Sequence, residues 1–231
     1  MPKTSKNWPQ KVLKTLSLRE KIAQMMIYRM HLKYKDVTPE KWEEIIRLLD
    51  GDGIGGIHLW SGDGSSSIAI MNEIQKRSRI PIIFDADIER GFGQRFPSGT
   101  DFPPMMAITA TGNPENAYEV GKIVATESRA AGIHWNLSPV VDVNNNPLNP
   151  IINTRSFSEN ADIVSEFSKK YAKGLQDYGM IATAKHFPGH GDTQTDSHSS
   201  LAMIPSDSTR LWSLELKPFA TMADEGVDVV M

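Results

Sequence analysis

One segment of the sequence concentrates groups that can transfer protons or bind ions. The residues "KHFPGHGDTQTDSH" (185–198) include three histidines, two aspartates and a lysine. Histidine titrates nearest to neutral pH, and a carboxylate close by can orient its ring and stabilise its protonated form. Asp196 and His198 offer this pair of groups, and Gly189 and Gly191 would let the segment move over a bound substrate. This pattern indicates a histidine that delivers a proton to a leaving group.

Two other interpretations of the segment stay open at this stage. The first is a metal site, because imidazole and carboxylate groups bind zinc and other divalent ions. Its ligands would come from His186, His190, His198, Asp192 and Asp196. Against it, the segment lacks the H-E-x-x-H spacing of a helical zinc site, and the chain has no cysteine. The second is a packed loop whose histidines and aspartates bond to one another and to the backbone. Spacing alone does not decide among the three.

Short apolar runs alternate with amphipathic helical stretches along the chain, which predicts an α/β protein. Strands are predicted at 25–30, 53–60, 80–87, 132–140, 180–187 and 226–231. Most are nearly continuous apolar runs, as in parallel strands that are buried on both faces. Strands that alternate with helices favour right-handed βαβ units around a parallel sheet.

The helix signals are capping residues at the starts and glycines at the ends. Ser17 and Glu20 have the spacing of a capping box. Helices are also predicted to begin at Thr38–Pro39 and Asn113–Pro114, and to span about 161–178. Gly51, Gly132 and Gly179 end these three helices, and each is expected to adopt a left-handed C-cap conformation.

Polar residues follow three of the predicted strands. They are Asp85 and Asp87, then Asp142, then Lys185 and His186. The carboxyl ends of the strands form the active site of a β/α barrel. A doubly wound sheet would also bind ligands there, but no GxGxxG turn follows a strand. We therefore predict a (β/α)8 TIM-barrel-like fold with about six of its eight strands in this chain, which ends inside the sixth.

The composition of the chain limits the classes of protein to which it can belong. The 231 residues carry a net charge of −3 and 39% hydrophobic residues, and no linker-like stretch divides them, so one domain spanning 1–231 is predicted. No basic stripe indicates nucleic-acid binding. No apolar run reaches the roughly 18 residues of a membrane span, and "MPKTSKNWPQ" has no apolar h-region of a signal peptide. The compartment stays open, with cytoplasmic and periplasmic or secreted locations both allowed.

The segment 185–198 closely resembles the signature of family 3 glycoside hydrolases, in their β-N-acetylglucosaminidase branch. Three further stretches are similar to that family, in order along the chain. They are "TLSLREKIAQMM" (15–26), "DIERGFGQRF" (87–96) and "LSPVVDVNNNPLNPIINTRSFSEN" (137–160). The resemblance covers essentially all 231 residues, and the histidine-bearing loop distinguishes this branch from the β-glucosidases.

The resemblance implies a barrel that releases terminal β-linked N-acetylglucosamine from peptidoglycan- or chitin-derived glycans, with retention of configuration and without a cofactor. The residues that it implies for binding the sugar's hydroxyl and acetamido groups are Asp87, Arg95, Arg155, Lys185 and His186. These types suit the task, because lysine and arginine donate to hydroxyl oxygens and aspartate accepts from hydroxyls. His198 would be the acid/base, with Asp196 as its partner. This arrangement differs from the two carboxylates of most glycosidases.

Two departures from the family pattern affect these expectations. Arg90 stands where the family has glycine, so the rim of the site is expected to differ. The family's nucleophilic aspartate follows the seventh strand, and no residue here matches its motif, Asp228 included. The chain is therefore expected to be part of a longer enzyme, with a possible fused C-terminal domain, and inactive alone. The alternatives are a noncatalytic sugar-binding barrel and, third, a metal-dependent hydrolase.

Overall fold

Helices and strands alternate along the chain in a computed structural model, which describes residues 7–204 and 206–231. The N-terminal stretch without an apolar h-region lies partly outside the described residues, at 1–6. The described residues contain the strands β1 (Ile27–Leu32), β2 (Gly56–Gly62), β3 (Ile83–Ala86), β4 (Trp135–Asn136), β5 (Thr183–Ala184) and β6 (Val229–Val230). Each overlaps one predicted strand. The last four are shorter than predicted, because the apolar runs continue beyond the hydrogen-bonded ladder.

The helices include every predicted one and several that the sequence did not indicate. They are α1 (Trp8–Thr15), α2 (Leu18–Ala23), α3 (Pro39–Asp50), α4 (Ser65–Arg77), α5 (Met105–Thr109), α6 (Glu115–Ala131), α7 (Ala161–Asp177), α8 (Ser208–Ser213) and α9 (Lys217–Asp224). The capping box before α2 is confirmed: the Glu20 N–H donates to Ser17 Oγ at 3.2 Å, and the Ser17 N–H donates to the Glu20 carboxylate at 2.7 Å. None of the helices in the described part of the chain is both long and apolar enough to cross a membrane.

Two of the three glycines predicted to end helices adopt the left-handed conformation, and the third does not. Gly132 and Gly179 have φ values of 93° and 77°, so the left-handed conformation is confirmed there. The prediction is wrong for Gly51, whose φ is −83°. The left-handed residue lies two positions further on, at Gly53, whose N–H donates to the Leu48 carbonyl at 3.1 Å. The chain therefore leaves α3 through a longer turn.

The chain divides into two compact units, residues 1–85 and 86–231. In the first unit β1 and β2 pair in parallel, and β3 lies beside β2. Alternate residues of β1, Met30 and Leu32, are buried, as are Ile45 and Leu49 of α3. In β1, successive side chains point to opposite faces, so Met30 and Leu32 face the apolar core of this unit. The prediction of one domain stays a prediction.

The second unit is built on β4, β5, β6 and the close pair of helices α6 and α7. Parallel bridges join Trp135 to Ile181 and Val140 to Lys185, and β5 pairs with β6 in parallel. The four apolar residues predicted for one face of α7 are all buried: Val164, Phe167, Tyr171 and Leu175. These buried residues place α7 in the apolar core of the second unit.

The contact between α6 and α7 depends on two glycines. A Cβ added at Gly174 would lie 2.3 Å from the Tyr118 carbonyl oxygen, and one at Gly121 would lie 2.3 Å from that of Tyr171. We expect Gly174→Ala to lower the free energy of unfolding by about 1–3 kcal/mol, because the backbones must separate. Urea unfolding of this variant and of Glu166→Ala, an exposed change on the same helix, measures the effect. Equal stabilities of the two variants would contradict it.

Candidate functional site

The backbone after β3 is held by side chains from two other elements. Asn136 of β4 accepts from the Ile88 N–H at 3.0 Å and donates to the Ile88 carbonyl at 2.8 Å. The Tyr171 hydroxyl of α7, completely buried, donates to the Glu89 carbonyl at 2.9 Å. These bonds fix Ile88, and with it the side chains of Asp87 and Glu89 on either side.

Four charged side chains meet at this point, and we call them the ion cluster: Asp87, Glu89, Arg155 and Lys185. Lys185 follows β5, is 1% exposed, and pairs its ammonium group with the Asp87 carboxylate and, at 2.8 Å, with Glu89. Arg155 donates to both Glu89 oxygens, from Nε at 2.9 Å and from Nη2 at 2.6 Å. Such bidentate pairs are stronger and more directional than single hydrogen bonds.

The ion cluster holds Glu89 in its charged form. Burial raises the pKa of this carboxyl, but the hydrogen bonds and positive charges of Arg155 and Lys185 outweigh burial and bring the pKa to about 2. Burial also lowers the pKa of Arg155, and the bonds to Glu89 reverse this effect, so that its pKa is raised. Both groups are therefore charged at neutral pH.

A cavity of about 220 Å³ opens beside the ion cluster in the second unit. It is lined by Asp87, Glu89, Arg90, Gln94, Arg95, Pro104, Met105, Thr154 and Arg155. Arg95 donates from Nε to the Asp87 carbonyl at 2.9 Å, and its Nη2 lies 3.7 Å from the Asp87 carboxylate. Arg90, the departure from the family pattern, pairs with the exposed Asp101 at 3.4 Å. Cavities for drug-sized ligands measure roughly 300–1,000 Å³, so this one suits a smaller ligand such as one sugar ring.

His186 is oriented by a completely buried carboxylate. Asp142 Oδ2 lies 2.7 Å from His186 Nδ1, and Asp142 also accepts from the His186 N–H at 3.2 Å and from the His190 N–H at 2.6 Å. One aspartate thus fixes two histidines of the segment 185–198. The His186 side chain is 28% exposed, so a ligand can reach it.

The pair of Asp196 and His198 lies at the exposed end of the segment. His198 Nδ1 is 2.7 Å from Asp196 Oδ1, which also accepts from the His198 N–H at 2.9 Å. The backbone bond is the larger cause of the lowered pKa of Asp196, followed by the ring bond. The His198 side chain is 78% exposed. The pairing predicted from the sequence is present, and the ring is accessible for proton transfer.

The structure does not bring the five possible metal ligands of the segment together. Within residues 7–204 and 206–231, no three histidine, aspartate or glutamate side chains are grouped so that they could hold a metal ion. Asp192 pairs instead with Arg210 at 2.7 Å, and His190 bonds to Thr193 and Ser197. The geometry therefore favours hydrogen-bonded roles for these side chains.

The structure brings four of the five sugar-binding candidates to one place and separates the acid/base pair from them. Asp87 contacts Arg95 and Lys185, Glu89 joins Lys185 to Arg155, and His186 is adjacent to Lys185 in the chain. The partner of His198 in the described part of the chain is Asp196, outside this group. Sequence reasoning gave no role to Glu89 or Asp142, although "DIERG" and the strand end "SPVVD" contained them. Their contacts join residues 66 and 44 positions apart, which no local spacing reveals.

Parallel strands that alternate with helices, and a charged cavity beside residues that follow those strands, define a TIM-barrel-like α/β protein with a ligand site at the carboxyl ends of its strands. The chain belongs to glycoside hydrolase family 3: the model of the "Glycosyl hydrolase family 3 N terminal domain" matches residues 17–231. The resemblance and the predicted fold class are thereby confirmed.

Three bacterial proteins illustrate what the chain is similar to. The chain is 34% identical over 193 residues to a β-hexosaminidase of Xylella fastidiosa, covering 79% of this chain and 57% of that protein. It is 33% identical over 165 residues to a β-N-acetylglucosaminidase/β-glucosidase of Cellulomonas fimi, covering 71% of this chain and 29% of that protein. A family 3 β-N-acetylglucosaminidase structure from Paenibacillus matches with a TM-score of 0.84 and 34% identity, over 94% of this chain and 42% of that one. The chain thus spans about a third to a half of the length of such relatives.

Proposed function

We propose that this chain supplies the sugar-binding and acid/base residues of a retaining β-N-acetylglucosaminidase. Its substrates would be peptidoglycan- or chitin-derived glycans that end in β-linked N-acetylglucosamine. The observation that carries the proposal is the ion cluster, in which a buried lysine holds Asp87 beside a cavity of about 220 Å³. The names of the family relatives, β-hexosaminidase and β-N-acetylglucosaminidase, support the same reaction.

In the proposed complex, the exposed parts of the cluster bind the sugar. The Asp87 carboxylate is 24% exposed and would accept hydrogen bonds from two sugar hydroxyls. Arg95, Arg155 and His186 would donate to hydroxyl or acetamido oxygens. Lys185 is almost inaccessible, so its main effect would be to hold the Asp87 carboxylate in position.

His198 would act twice in the reaction. As a general acid it gives its proton to the glycosidic oxygen while the bond to the sugar breaks, and as a general base it takes a proton from the water that releases the sugar. Asp196 would stabilise the protonated ring before it gives its proton to the glycosidic oxygen and again after it takes a proton from water. A retaining mechanism also needs a carboxylate on the opposite face of the sugar. We assign that role to no residue of this chain; Asp228 accepts from the Ala182 N–H at 3.0 Å, which is a structural bond.

We expect Asp87→Asn to weaken the binding of N-acetylglucosamine by about 10- to 100-fold, the value of a hydrogen bond to a charged group. Titration calorimetry or NMR shifts measure this on the whole chain. Asp177→Asn is the matched control, because that carboxylate pairs with Lys173 on α7 and lines no part of the cavity beside the ion cluster. Equal affinities of the two variants would remove Asp87 from the sugar site.

In a protein that contains this chain and the nucleophile, turnover separates the proposed enzyme from the noncatalytic sugar-binding alternative. Release of an aryl alcohol is measured from an aryl N-acetyl-β-D-glucosaminide and from the matching β-D-glucoside. Faster turnover of the first substrate supports the proposal and a role for the acetamido group. Binding of N-acetylglucosamine without any turnover supports the noncatalytic function of this chain. Preference for the glucoside would contradict the assigned sugar.

A further inference from the structure

The ring of His190 bonds at both nitrogens, although the proposed chemistry assigns it no role. Its Nδ1 lies 2.5 Å from Thr193 Oγ1, and its Nε2 lies 3.0 Å from Ser197 Oγ. The residue is about nine-tenths buried, and its own N–H is bound by Asp142. A histidine held at three points is rigid. It therefore gives Ser197, which is itself exposed, a fixed partner.

The surrounding hydrogen bonds are compatible with a His190 tautomer that carries its proton on Nδ1. Asn149 Nδ2 donates to the Thr193 carbonyl at 3.0 Å and approaches Thr193 Oγ1 at 3.3 Å. The Thr193 hydroxyl can then donate to the His190 carbonyl at 3.0 Å and accept from Nδ1–H. Nε2 is left as an acceptor, so the Ser197 hydroxyl donates to it. The bond between His190 and Ser197 forms in either tautomer, with the donor and acceptor exchanged.

Ser197 stands between the two members of the acid/base pair. The Asp196 carboxylate accepts from the His198 backbone and ring, and the Asp196 carbonyl accepts from the Ser199 N–H at 3.0 Å and the Ser200 N–H at 3.2 Å. These bonds are local and form one turn. The side-chain bond from Ser197 to His190 connects this turn to a buried group of the same unit.

We propose that His190 is a positioning residue, which anchors the turn 196–200 through Ser197 and so sets the position of the His198 ring relative to the sugar site. The chain of contacts runs from His186 through Asp142 to His190 and then to Ser197. The same buried carboxylate therefore orients a sugar-binding histidine and the anchor of the proton donor. This inference rests on the proposed function for its kinetic effect, but the anchoring itself does not.

Two pairs of variants, one at His190 and one at Ser197, distinguish an anchor of the turn 196–200 from a side chain that only stabilises the fold. An asparagine at position 190 can replace Nδ1 but not Nε2, whereas a glutamine can reach the position of Nε2. His190→Asn should therefore release Ser197, and His190→Gln should keep it. Ser197→Ala removes the donor, and Ser197→Thr restores a hydroxyl. Ser200→Ala, an exposed change on the same turn, is the matched control.

We expect His190→Asn and Ser197→Ala to speed the amide hydrogen exchange of residues 196–200 by about 3- to 10-fold, as for the loss of one hydrogen bond. In a protein that also contains the nucleophile, their kcat for the aryl N-acetyl-β-D-glucosaminide should fall by a similar factor at unchanged KM. His190→Gln and Ser197→Thr should remain close to the wild-type chain. The effects of His190→Asn and Ser197→Ala should not add, because both remove the same bond.

The comparison of amide hydrogen exchange rates tests whether His190 anchors the turn 196–200. It does not require turnover of the glycoside. Absence of turnover in a protein that also contains the nucleophile would count against the proposed function, while faster exchange in Ser197→Ala than in Ser200→Ala would still support the anchor. The anchor is overturned if these two variants exchange alike, or if His190→Gln loses as much protection as His190→Asn. A raised KM at unchanged kcat would overturn the positioning of His198.

Discussion

Glu89→Gln is expected to lower the free energy of unfolding at neutral pH by about 3–5 kcal/mol, the usual cost of removing one partner from a buried ion pair. The change keeps the size of the side chain but removes the charge that Arg155 and Lys185 share. Lys185 is 1% exposed, so water cannot replace the lost partner. Urea unfolding at neutral pH measures the difference. It is a large share of the 5–15 kcal/mol by which most domains are stable.

The same carboxyl predicts how stability depends on pH. Its pKa is about 2 in the folded chain against an ordinary value of 4.5, so folding favours the charged form. The resulting stabilisation, about 3 kcal/mol, is fully present above pH 4.5 and is lost as the pH falls toward 2. The wild-type chain and Glu89→Gln should therefore converge in stability over this interval.

A surface carboxylate provides the control for both measurements. Glu119 pairs with Lys122 at 2.9 Å on α6, and Glu119→Gln should change stability by less than about 1 kcal/mol, because exposed ion pairs contribute little. A loss in Glu89→Gln no greater than in this control would show that Arg155 and Lys185 find other partners. The ion cluster would then not depend on Glu89.

In a protein that contains this chain and the nucleophile, His198→Ala is expected to lower kcat for an aryl N-acetyl-β-D-glucosaminide by about 10²- to 10⁴-fold, the usual contribution of a positioned general acid/base. Binding of N-acetylglucosamine should stay within about twofold, because the ring contacts Asp196 and no member of the ion cluster in the described part of the chain. Stability should change by less than about 0.5 kcal/mol, since the side chain is 78% exposed. Steady-state kinetics and calorimetry on the same preparations measure both quantities.

The contrast between kcat and binding is what identifies the acid/base. Ser200→Ala, two residues away on the same exposed turn, should leave kcat within about twofold. A His198→Ala variant that keeps more than about a tenth of the wild-type kcat would show that another group supplies the proton. Loss of sugar binding in that variant would instead make His198 a binding residue.

The local sequence was sufficient for the six strands, for four of the helices in the described residues and for the acid/base pair. Apolar runs and capping residues predicted each of the six strands and the helices α2, α3, α6 and α7, because periodicity and caps act over a few neighbouring positions. The pair of Asp196 and His198 was predicted for the same reason, since the two residues are close in the chain. The resemblance to family 3 glycoside hydrolases added Asp87, Arg95, Arg155, Lys185 and His186 as sugar-binding candidates.

Only the tertiary structure decided how those residues are held. Lys185 meets Asp87 from 98 positions away, Arg155 meets Glu89 from 66, and Asp142 meets His186 from 44. Glu89 looks unremarkable in the sequence, and Asp142 is notable there only for its place at a strand end, because the importance of both comes from partners that are distant in the chain. The sequence determines which groups are available for chemistry. The packing of α6, α7 and the strand ends determines which are charged, which are oriented and which remain accessible, because desolvation and pairing depend on neighbours in space.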